Sequence, residues 1–130
     1  MNQESIGIAT KMYKHLGGDI FKLMTNAVIY PLENITVEND KSIVSLFIAL
    51  PCNNTEDFIF NKNKIDIVYM HFMKNDTYTF EFIKKCEDNP FKIINNIYYH
   101  EVQDIFELNT GLLVTVHNRE NSKVITVANA

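Results

Sequence analysis

Tryptophan is absent, arginine occurs once, at Arg119, and cysteine, proline and glycine number two, three and four in 130 residues. With eleven lysines, a single guanidinium and a net charge of −4, there is no dense basic patch for phosphate or base-edge contacts, so nucleic-acid binding is disfavoured. The acidic residues do not compensate as a phosphate mimic, because they are scattered in ones and twos, as in Glu56-Asp57 and Glu87-Asp88. Low glycine and proline with a 46% apolar fraction exclude a disordered or low-complexity chain. Cys52 and Cys86 have no CxxC spacing, and the first twenty residues contain Glu4, Lys11 and Lys14 where a secretory leader would be apolar. Two reduced thiols in the cytoplasm are therefore expected. The longest apolar run, Ile43 to Pro51, is strand-length, well short of the ~18–20 residues of a membrane span.

The patterning that is present predicts one α+β domain over residues 1–130. Ile8, Met12 and Leu16 recur at helical spacing over Ser5 to Leu16, and Gly17-Gly18 follows as a left-handed stop. Asp19 to Tyr30 reads as two short extended pieces bent at Thr25-Asn26, with a short helix from Asp19 as the competing assignment, and Pro31 to Asp40 reads as loop. Ser42 to Leu50 is apolar at almost every position, the mark of a central strand buried on both faces. Lys64 to Met73 and Thr77 to Lys85 form a hairpin across Lys74-Asn75-Asp76, and Tyr78, Phe80 and Phe82 make one face of its second strand aromatic. A strand over Phe91 to Ile97 and a helix over Tyr98 to Asn109, closed by Thr110-Gly111, follow. Residues 117–130 are an extension or part of a terminal hairpin. The sum is an antiparallel meander with the N-terminal helix and the C-terminal-half helix on one face.

Catalytic and metal constellations find little support. His15, His71, His100 and His117 are never within four residues of one another, so no zinc helix of the HExxH kind exists. A dispersed set such as Cys52, Cys86, His71 and an acid is foreshadowed by no spacing. Gly17-Gly18-Asp19 lacks the pattern of a phosphate loop, and adjacent acids on extended backbone diverge instead of facing each other. The expectation is a chain with no cofactor, no metal and no catalytic residue. Two segments remain as candidate interaction surface. One is the connection from Pro51 to Asn63, with Cys52, Asn53, Asn54, Glu56, Asp57 and Phe58; the other is Tyr98-Tyr99-His100 at the entrance of the second helix.

Leu16-Gly17-Gly18 with Phe21 and Met24-Thr25, then Ile48-Ala49-Leu50-Pro51, then Asp76 to Phe82 (DTYTFEF), and Val102 to Phe106 (VQDIF) before Thr110-Gly111-Leu112 share an order and spacing. In these the chain resembles a family of small uncharacterised proteins of tailed phages and prophages, over roughly Ile8 to Val116. The resemblance implies no established activity. Asn26, Val28 and Cys52 depart from it, standing where a glycine, a lysine and a basic residue are usual.

The resulting expectation is a non-enzymatic accessory protein that binds a host or phage protein. A small-ligand or nucleotide binder, with its pocket beside the Pro51 to Asn63 connection, is the alternative. Single-stranded nucleic acid stacking on Tyr78, Phe80 and Phe82 is the second. A homodimer that covers an exposed sheet edge is a further expectation.

Overall fold

A computed structural model of the chain describes residues 1–51, 64–84, 87–112 and 114. Its elements are α1 (Gln3–Leu16), α2 (Gly18–Thr25), β1 (Val28–Glu33), β2 (Thr36–Val37), β3 (Asp40–Lys41), β4 (Val44–Ala49), β5 (Ile65–Phe72), β6 (Tyr78–Lys84), β7 (Lys92–Ile97) and, after a 3-10 turn at Tyr99–Glu101, α3 (Val102–Thr110). Five strands form one antiparallel sheet in the order β1-β4-β5-β6-β7, and β2 and β3 pair separately as an excursion between β1 and β4. This is the α+β meander expected, with one helix more.

Helix α1 begins where the Asn2 side chain accepts a hydrogen bond from the Ser5 amide and ends at Gly17, whose φ of 124° a residue with a Cβ rarely adopts. The chain turns within that glycine and its successor, so α2 starts immediately. The segment from Asp19 is thus helical rather than extended, as the competing assignment had it. Phe21 and Thr25 lie one turn apart and are buried, and Asn26 closes the helix in the left-handed region at φ 54°. Pro31 also departs from the loop expectation: it lies inside β1, which is an edge strand paired only with β4. An edge is where a strand tolerates a residue without an N–H.

All three helices contribute to a core against one face of the sheet. Met12 and Leu16 from α1, Phe21 from α2 and Val102 and Phe106 from α3 are fully buried with Val44, Leu46 and Ile48 of β4, Val68 and Met70 of β5 and Phe80 and Phe82 of β6. Phe21 and Phe106 meet edge to face with centroids 5.0 Å apart, joining α2 to α3. The aromatic face of β6 is therefore core: Tyr78 is 2% exposed, and Phe80 and Phe82 are at 0%. A nucleic-acid stacking platform on those rings is ruled out by their burial.

Both sheet edges are interrupted. Pro31 removes a donor from β1, and β7 carries a bulge in which Asn95 and Asn96 stand opposite Thr79, with Asn96 at φ 59°. Edge-to-edge pairing of two copies would meet one or the other.

Candidate functional site

Cys52, Asn53, Asn54, Glu56, Asp57 and Phe58 lie outside the described residues. The other nominated surface, Tyr98-Tyr99-His100, leaves β7 and enters α3. The Glu101 carboxylate accepts the Tyr98 amide at 3.0 Å, fixing this corner, and Tyr98 and Tyr99 are 55% and 64% exposed. Tyr98 stacks on His100 at 6.1 Å between centroids. Tyr99 packs 5.2 Å from His15 of α1.

His15 in turn bonds Tyr78, with Nδ1 2.7 Å from the phenolic oxygen. Burial pushes the Tyr78 phenol up to about 12, so it stays protonated and donates. Burial and then the nearby Lys11 ammonium lower the His15 imidazole below its ordinary value, which favours the neutral ring that accepts. The corner is aromatic, and within it the polar tips of His15 and Tyr78 are turned to one another.

The sequence did not reveal what lies on the sheet face away from the helices. Strand register aligns three rows of side chains across it. One runs Val28, Ala49, Ile67 and Ile83; the next Tyr30, Phe47, Tyr69, Glu81 and Ile93; the third Leu32, Ser45, His71 and Thr79, ending at the bulge. In the middle row Tyr30 stacks on Phe47 at 6.1 Å and Phe47 meets Tyr69 edge-on at 5.4 Å. Tyr69 then lies parallel to His71 at 5.8 Å. Among the described residues no helix packs here, yet two of the three rows are almost wholly apolar. Tyr30 is 57% and Val28 43% exposed, and Phe47, Tyr69, Ile67, Ile83 and Ile93 are half-buried. An antiparallel sheet with one solvated face ordinarily alternates apolar with polar residues.

The third row is polar and covered. Ser45 and His71 have no exposure, and the Ser45 hydroxyl lies 2.6 Å from His71 Nδ1 and 2.7 Å from the Ser42 hydroxyl. His71 Nε2 lies 2.6 Å from Glu81 Oε1. The Ser42 hydroxyl accepts the Ile35 amide at the base of the β2–β3 hairpin. From there the hairpin crosses the sheet, because Glu38 at its tip accepts from Asn95 Nδ2 of β7 at 3.3 Å. Val37, buried on the hairpin, completes the cover.

A serine, an imidazole and a carboxylate in sequence resemble a nucleophilic relay, but the geometry performs no such chemistry here. An attacking hydroxyl must reach a substrate, and Ser45 is sealed on a strand with no exposure, as is His71. What the chain of bonds does is satisfy every polar group in a buried row and fasten the hairpin over it. Among the described residues no group of three or more histidine, cysteine, aspartate or glutamate side chains could hold a metal ion, and no helix is long and apolar enough to cross a membrane.

No protein-family model, no curated protein and no solved structure matches the chain.

Proposed function

We propose that this protein is a non-enzymatic interaction module whose sheet face docks a protein partner. The observation that supports the reading is the aromatic row Tyr30–Phe47–Tyr69 between two aliphatic flanks, on the face away from the helices. Contiguous apolar surface of this kind is expensive in water and marks contact sites in other proteins. Among the described residues of the three rows the one carboxylate, Glu81, is paired with His71, so the complementary surface is predominantly apolar. The resemblance to small phage and prophage proteins suggests a host or phage protein as the partner. With Pro31 and the Asn95-Asn96 bulge guarding the edges, the face and not an edge is the surface to test.

The experiment compares affinity capture from host lysate by the wild type, by Tyr30→Ser and by Leu23→Ser, a control 82% exposed on α2. The reading predicts one protein recovered in stoichiometric amount by the wild type and by Leu23→Ser and lost with Tyr30→Ser. Equal recovery by all three overturns it, and sedimentation of the purified wild type as a dimer that Tyr30→Ser dissociates replaces the partner with a second copy.

A further inference from the structure

Three turns converge beyond the covered end of the sheet: the tip of the β2–β3 hairpin, the β5–β6 turn and the β7 bulge. Between them lies a cleft of about 440 Å³, within the range of small-molecule sites. Its walls combine carboxamides and hydroxyls, several of which hold one another, with the carboxylates of Glu38 and Asp40 and the ammonium groups of Lys41 and Lys74. Thr79 Oγ1 donates to Asn95 Oδ1 at 3.0 Å, Asn95 Nδ2 donates to Glu38 Oε1, and Asn75 Nδ2 approaches Asn96 Oδ1 at 3.4 Å. The Asn75 carbonyl accepts both the amide and the hydroxyl of Thr77, fixing its orientation. Glu38 and Asn96 hold left-handed backbone at φ 55° and 59°, a conformation disfavoured for glutamate in particular. The cleft is thus built from strained turns locked by side chains before any ligand arrives.

The valences left over define the ligand. Each carboxamide offers two N–H donors and a carbonyl, and the internal bonds use only part of that capacity. A carboxamide carries a donor and an acceptor side by side, which matches vicinal hydroxyls. With Glu38 and Asp40 balanced by Lys41 and Lys74, the lining has no net charge that would select an anion or a cation, and an apolar ligand would leave the carboxamides unpaired.

We infer that this cleft is a binding site for a saccharide, with Asn39, Asn75, Asn95 and Asn96 contacting hydroxyls. The site is separate from the docking face and does not depend on it.

The test is an amide-resolved NMR titration of the ¹⁵N-labelled chain. The probes are glucose, galactose, mannose and N-acetylglucosamine with their linear trisaccharides, beside inorganic phosphate and glycine as charged probes. The expected result is saturable movement of the Asn75, Asn95 and Asn96 side-chain amide signals with at least one saccharide. Asn95→Ala should weaken that binding about tenfold, with Leu108→Ala leaving it unchanged. Asn39→Ala, on an exposed turn, carries the same expectation should Asn95→Ala fail to fold. Movement with phosphate or glycine alone, no saturable movement across the panel, or undiminished affinity in the Asn95 and Asn39 variants overturns the inference.

Discussion

His71 is wholly buried on the middle strand of the sheet and touches Glu81 of the neighbouring strand through Nε2 at 2.6 Å, while its other nitrogen meets Ser45. The two residues are diagonal neighbours across an antiparallel pair in which His71 faces Thr79. Removing either one leaves a buried or half-buried polar group without its partner, which costs more than the bond itself contributes.

Glu81→Ala is therefore expected to destabilise the fold by about 1–3 kcal/mol, and His71→Ala by at least as much. The double variant should lose less than the sum of the two. Urea unfolding of the four proteins, read as a double-mutant cycle, checks this, and simple additivity would mean that the two side chains act independently.

Acid should destabilise the fold through His15. Its imidazole is held below the ordinary 6.5 by burial and by Lys11, so above that value both folded and unfolded chains are neutral there. As the pH falls through 6.5 the unfolded chain binds the proton first, and stability decreases until the folded imidazole is protonated too. His15→Gln should flatten this part of the profile. Thermal unfolding at about pH 7.5 and about pH 5 for both proteins measures it.

The opposite end of the scale belongs to Tyr78. Its phenol is raised from 10.0 to about 12, so the unfolded chain ionises first and stability falls as the pH climbs between those values. Tyr78→Phe removes that dependence while leaving His15 without its donor, and alkaline unfolding followed by circular dichroism separates the two variants.

Gly17→Ala should lose about 1 kcal/mol or more, since a Cβ there would sit 3.1 Å from the Gln103 side chain and 3.3 Å from Phe21 Cβ on a backbone at φ 124°. Gly7→Ala, where nothing lies within 4 Å, should gain a few tenths through helix propensity. Melting temperatures that move in the same direction for both would contradict the left-handed turn between α1 and α2.

The sequence carried the elements better than the surfaces. Helical spacing at Ile8, Met12 and Leu16 and alternation at Tyr78, Phe80 and Phe82 are local signals, and α1 and β6 stand within a residue or two of their expected places. Helix α2 was harder because Ile20, Phe21 and Met24 suit a strand equally well and eight residues give barely two turns of periodicity. Near-continuous apolar content in Ser42 to Leu50 pointed to burial on both faces; the helices cover Val44, Leu46 and Ile48, whereas Phe47 and Ala49 face the other way. That mismatch was the one sequence signal of the proposed docking face. The bond between Ser45 and His71 spans 26 residues, and the contact of Glu38 with Asn95 spans 57. Such meetings are set by strand register and by the path of the hairpin, which residue types do not encode.

Covalent footprinting of the sheet face tests the proposed docking most directly. Tyr30, 57% exposed, should label readily in the purified protein at low concentration and become protected in host lysate, with any labelling of the half-buried Phe47 and Tyr69 falling alongside it, while Tyr99 and Leu108 label equally in both. Equal labelling of all five in the two settings would contradict a partner on that face.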